Sequence, residues 1–238
     1  MLTIHRLVKR RGSRTILSGI SFQARSGRVT GFLGPNGAGK SSTLRILLGL
    51  DSATSGEALI NGVPYARLRN PLATVGALLD GSGAHRARTG RAHLNWIARS
   101  AGLPRSRVDE VLAIVGLTDA ASQRVGSYSL GMGRRLGLAA ALLGDPEVLI
   151  LDEPVNGLDP EGIRWIRTLV RERAATGRTV LLSSHLMGEL AETVDDVIVI
   201  NQGRIVADGT LAEVIDGHGT LENAFFALTT PNGGRVAQ

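Results

Sequence analysis

Apolar and polar positions alternate along the first 27 residues, over Leu2-Thr3-Ile4-His5-Arg6-Leu7 and again from Ile16 to Ala24. A period of two predicts strands with one covered face. Arg28 to Leu33 reads as a short buried strand, and Ser42 to Gly49 puts Leu44, Leu47 and Leu48 on one helical stripe. Glu57 to Ile60 runs into Asn61-Gly62, a turn dipeptide. Val148 to Leu151 and Thr179 to Leu182 are unbroken apolar runs, the form taken by strands covered on both faces of a parallel sheet. Val197 to Ile200 and Arg204 to Ala207 flank Asn201-Gln202-Gly203 and predict a hairpin. Residues 85 to 143 carry no good strand pattern, and helices are expected over His93–Ala101, Arg105–Val115 and Leu130–Leu143. Thr210-Leu211-Ala212-Glu213 fits a capping box, and residues 231–238 read as a loose tail. There is no internal repeat. The expectation is an α/β fold: an N-terminal antiparallel β part, a parallel-sheet core and an inserted helical part at 85–143, within one domain spanning 1–230.

Between the strand at 28–33 and the helix at 42–49 lies Gly34-Pro35-Asn36-Gly37-Ala38-Gly39-Lys40-Ser41, which meets the pattern G-x-x-x-x-G-K-[ST] in full. Backbone amides of such a loop curl around phosphates, and the helix start, with Ser41 and Ser42, adds free amides and the positive end of its dipole. Composition sharpens this. Of 27 basic residues only Lys9 and Lys40 are lysine. Lysine is a compact charge on a flexible stem and reaches terminal phosphates where a planar guanidinium is too wide.

Other bulk properties mostly exclude. The chain has 238 residues, 43% of them apolar and 3% aromatic, so its core is built of Leu, Val, Ile and Ala. The absence of cysteine excludes disulfides and cysteine metal sites. Met1-Leu2-Thr3-Ile4-His5-Arg6 is not a signal peptide, and no apolar run reaches the roughly 18 residues that cross a bilayer. A cytosolic or peripheral location is expected. The net charge of +6 comes from scattered arginines without interleaved aromatics, which reads as composition rather than a nucleic-acid surface.

Val148-Leu149-Ile150-Leu151 ends in Asp152-Glu153. A carboxylate at a strand's C-terminal edge can hold Mg²⁺ beside a phosphate loop, the role given to Asp152, with the Ser41 hydroxyl as a second oxygen. The next carboxylate, Glu153, can orient and polarise an attacking water. Ser129-Leu130-Gly131 precedes a helix and offers a second anion-binding start. One nucleotide does not need two such loops from one chain, but a head-to-tail dimer does.

The order of phosphate loop, Ser-x-Gly loop, Leu-Asp-Glu strand, Gly157-Leu158-Asp159 and Ser184-His185 resembles the ATP-binding subunits of ABC transporters, over nearly the whole chain. The resemblance implies the phosphate-loop ATPase fold and two subunits that sandwich two ATP molecules. It implies that Ser129 and Gly131 touch the γ-phosphate of the partner's nucleotide, that Asp159 couples the two sites, and that His185 contacts the γ-phosphate and the catalytic Glu153. It also implies a separate membrane permease, which two such motors drive from the cytoplasmic face.

Two positions depart from that pattern. Asp80 stands where the family usually has Gln, in a loop that binds Mg²⁺ and meets the permease. An acid there, the Ser-Leu-Gly-Met signature and the Leu221–Thr229 tail are similar to the antibiotic and lantibiotic exporter branch. The family's adenine-stacking aromatic falls at Arg11, whose guanidinium either stacks on the base or faces solvent, and looser ATP-over-GTP discrimination is expected. Arg86, Arg88 and Arg91 face either the permease and lipid headgroups or only solvent. Two other readings stay open: a soluble regulatory or resistance ATPase, and a nucleotide-binding module without turnover.

Overall fold

The computed structural model describes residues 1–79 and 83–230; Asp80 and the tail at 231–238 lie outside the described residues. Strands β1 (Leu2–Arg11) and β2 (Arg14–Ala24) form a hairpin around Gly12-Ser13, and β1 also pairs with β4 (Ser55–Ile60) in a three-stranded antiparallel sheet of order β2-β1-β4. The second sheet holds β3 (Val29–Leu33), β5 (Val75–Leu78), β6 (Val148–Asp152), β7 (Thr179–Ser183), β8 (Asp196–Asn201) and β9 (Arg204–Thr210) in the order β5-β6-β7-β3-β8-β9. All its neighbours run parallel except β8 and β9, the predicted hairpin.

Strand side chains alternate between two faces, and that alternation builds three layers. Leu149, Leu151, Val180, Leu182, Val197 and Val199 point into one core with the helices. Val148, Ile150, Leu181, Ile198 and Ile200 point into another, shared with the antiparallel sheet and helix α1 (Lys40–Leu47). After the one-turn α2 (Pro71–Thr74), the stretch between β5 and β6 is helical: α3 (Gly90–Ser100), α4 (Ser106–Ile114) and α5 (Leu130–Leu142). α3 starts three residues before the expected His93 because the Thr89 side chain accepts from the Ala92 amide and caps it.

Helix α6 (Pro160–Ala175) carries Ile166, Leu169, Val170 and Ala174 on its buried face. The short α7 (Met187–Ala191) follows β7, and α8 (Leu211–Ile215) and α9 (Leu221–Thr229) close the described chain. The capping box at Thr210 forms, with the Glu213 carboxylate returning to the Thr210 amide at 2.7 Å. Among the described residues no helix is long and apolar enough to cross a membrane.

Candidate nucleotide site

The C-terminal ends of β3, β6 and β7 meet at one edge of the parallel sheet. Between β3 and α1 the glycine string forms a tight loop. Gly39, the N-cap of α1, has φ +120, a conformation side chains resist. Gly34 lies so close to β8 that a Cβ would sit 2.3 Å from the Ile200 carbonyl oxygen. The loop can therefore curl this tightly only because those positions are glycine. Ala38 is buried beneath it.

The loop walls a hollow of about 450 Å³ lined by Pro35, Asn36, Gly37, Gly39, Lys40, Ser41, Ser42, Asp152 and Glu153, with Arg14 and Ile16 of β2 completing it. The Lys40 ammonium donates to the Gly34 carbonyl and, at 3.4 Å, to that of Pro35. Burial pushes its pKa below the usual lysine value, and the charges of Glu153 and Asp152 partly offset this. Ser41 Oγ donates to Asp152 Oδ2 at 3.5 Å.

Ser183, at the end of β7, arranges the two acids. It pairs with Asp152 across the parallel ladder, and its hydroxyl donates to Asp152 Oδ1. The same hydroxyl accepts from the Glu153 amide at 3.0 Å, while the Ser183 carbonyl accepts from that amide at 3.2 Å. These bonds hold Glu153 at φ +50, an uncommon conformation for a residue with a side chain. Its carboxylate meets His185 Nδ1 at 2.8 Å and accepts from the His185 amide at 3.3 Å. Ser183, Arg14 and Ile16 were not singled out by sequence reasoning. The signal for Ser183 was a polar residue closing an otherwise apolar buried run.

The remaining candidates sit elsewhere. Ser129 caps α5, its hydroxyl accepting from the Met132 amide at 3.2 Å, and Leu130 is 70% exposed beside it. The signature loop rests on the stretch before α6: a Cβ on Gly131 would lie 3.3 Å from the Gly157 carbonyl oxygen. Asp159 caps α6, accepting from the Gly162 amide at 2.9 Å. Ser129, Gly131 and Asp159 are not among the residues lining the hollow. Arg11 lies opposite Arg14 in the hairpin register and donates to Asp51 Oδ2 at 3.2 Å.

A strand, a glycine loop opening a helix, and a nearby strand ending on two acids define a nucleoside-triphosphatase of the phosphate-loop class. The family model for ABC transporters matches residues 17–156, more than half of the sequence, and the chain belongs to this family as an ATP-binding, ATP-hydrolysing subunit. It is 40% identical over 239 residues to the uncharacterized ABC transporter ATP-binding protein YhcH of Bacillus subtilis (strain 168), covering 98% of this chain and 76% of that one. Identity to the bacitracin transport ATP-binding protein BcrA of Bacillus licheniformis is 40% over 205 residues, covering 85% and 67%. For the lantibiotic transport ATP-binding protein SrtF of Streptococcus pyogenes it is 35% over 225 residues, covering 94% and 96%. The solved structure of an ATP-binding subunit of an ABC transporter superposes with a TM-score of 0.87 at 26% identity, covering 96% of this chain and 99% of that one.

Proposed function

We propose that this chain is the motor of an exporter of antibiotic-like compounds, working as a head-to-tail pair on a separate polytopic permease at the cytoplasmic face of the membrane. The observation that carries the catalytic reading is Glu153, its amide held by Ser183 and its carboxylate by His185, lining the hollow that Lys40 enters. The relatives named for bacitracin and lantibiotic transport support the cargo class. Ser129 and Gly131 lie outside the hollow's lining, which supports their serving the nucleotide of a partner chain.

The Ser41 hydroxyl and the Asp152 carboxylate, 3.5 Å apart at the rim, are the hard oxygen donors that Mg²⁺ takes while keeping positions for phosphate and water. They fit the ion, with Asp80 a third candidate on sequence grounds. Bound there, Mg²⁺ would neutralise charge on the phosphate oxygens. In this reading the loop amides and Lys40 hold the terminal phosphates and stabilise charge on the transferring phosphoryl group. Glu153 orients the water, whose oxygen attacks the γ-phosphorus as the bond to the bridging oxygen breaks. His185 fixes the carboxylate and reaches the γ-phosphate. Asp159 links the two sites of the pair, and Arg11 lies against the base.

Glu153→Gln is the test. It keeps the shape of the side chain but not its charge, so ATP binding should persist, turnover should be lost and a nucleotide-bound dimer should accumulate. Phosphate release at the parent rate would remove Glu153 from this role. The tagged variant, recovered with Mg-ATP from solubilised native membranes, should carry a polytopic protein with it. Ribosomal proteins in its place would replace the transporter reading with that of a soluble regulatory ATPase.

A further inference from the structure

His185 is two residues from the start of α7, and α7 is a single turn of which only Leu190 is buried. A helix that short does not hold itself. Beneath it lies a small cavity of about 20 Å³ whose walls include Pro154, Val155, Ile166, Leu182, Ser184 and Leu190. Pro154 follows Glu153 and Ser184 precedes His185, so both segments that carry the pair line this cavity. Leu190 anchors α7 from below in the core cluster, with Met187 and Ala191 packed against it.

Polar contacts from α6 grip α7 from the side. Arg167 donates through Nη2 to Glu189 Oε2 at 2.5 Å and through Nη1 to Glu192 Oε2. Arg171 Nη2 donates to the Glu192 carbonyl at 2.9 Å. Arg167 also lines the cavity, and its Nε is buried without a partner among the described residues. Exposed ion pairs add little to stability, and Glu189 and Glu192 keep 44% and 65% of their side chains exposed. A guanidinium left partly unsatisfied for such pairs is better explained by where it puts α7 than by what it adds to folding. Asp159 caps the start of α6, so the clamp joins the helix capped at the expected dimer contact to the helix that follows His185.

We infer that Arg167 is a positioning residue: through Glu189 and Glu192 it sets α7, and thereby holds His185 against the Glu153 carboxylate. The inference rests on the reading of Glu153 and His185 as the catalytic pair. Arg167→Met, Arg167→Lys and Glu189→Gln are compared with the parent chain, and Arg167→Met is also made in a His185→Ala background. ATP affinity, KM, kcat and Tm are measured with Mg-ATP. Arg167→Met should lower kcat about ten- to a hundredfold, the scale of a small misplacement remote from the chemistry, with KM and ATP affinity unchanged. Arg167→Lys should regain part of the loss, and Glu189→Gln should reproduce part of it with Tm unmoved. In the His185→Ala background Arg167→Met should add nothing, because residues acting as a unit are not additive.

Equal losses in both backgrounds would overturn the inference, as would parent kcat in Arg167→Met or a loss of kcat that follows Tm. Parent turnover in His185→Ala alone would remove His185 from the catalytic reading, and this inference with it. That outcome is distinct from a failure confined to Arg167.

Discussion

Arg11 is tethered at one edge rather than left loose. Lys9, buried in β1, donates to Asp51 Oδ1 and to the Ser52 carbonyl, each at 2.6 Å. The other carboxylate oxygen of Asp51 receives Arg11. The hydrogen bond from Lys9, with Arg11 adding to it, holds Asp51 down to about 2, so this pair persists across the neutral range. A guanidinium held by its edge keeps its faces for a base, and stacking of this kind accepts any purine. Measured side by side, ATP and GTP should bind with comparable affinity, and Arg11→Ala should weaken both together, by about fivefold for a stack worth ~1 kcal/mol. A strong ATP preference in the parent chain would refute this. The phosphate-loop residues were legible because one continuous string carries them. Ser183 and Arg14 were not, because only strand register and the hairpin bring them to the site, and neither is written locally.

At the level of elements, the helix starts carry both structure and chemistry. Ser129 caps α5 and Asp159 caps α6, and each also stands where a partner is expected. The two roles of Ser129 separate by substitution. Ser129→Ala removes the cap and should destabilise the chain by about 1 kcal/mol. Ser129→Asp caps equally well but brings a negative charge toward the partner's phosphate, so Tm should hold while turnover collapses. Parent turnover in Ser129→Asp would leave Ser129 as a cap alone. The long strands and α3 to α5 could be read from their periodicity. The signals of α6 were also present: Asp159 as cap, Pro160 in the first turn, and apolar Ile163, Ile166, Leu169 and Val170 at helical spacing. Asp159, taken only as the residue that couples two sites, leaves the helix it caps unannounced. α7 is too short for any period to show, and its place follows from α6 and the buried Leu190.

Across the whole molecule, Asp145 fastens the helical insert to the core. It lies at φ +50 after α5 and takes Arg178 of the turn before β7 at 2.5 Å, Arg173 of α6, and Arg107 of α4 at 3.8 Å. Burial alone would raise its pKa, but Arg173, Arg178 and Arg107 together outweigh burial and lower it below the usual 3.8. A depressed carboxylate stabilises the fold above its unfolded pKa and loses that contribution as pH falls through the folded one. Asp145→Asn tolerates the left-handed backbone, so it should isolate the charge. It should destabilise the chain at neutral pH by about 1 kcal/mol, since the side chain is half exposed and screened. That gap should close in denaturant titrations carried below pH 3.8. The same breadth of view applies to the amines. Of the only two side chains bearing one, Lys9 is shut in its pocket with Asp51, and Lys40 enters the nucleotide hollow with its proton loosened by burial. Dyes, resins and crosslinkers that acylate lysine therefore find on this chain no inert handle among its side chains: coupling through a lysine is coupling through the phosphate loop.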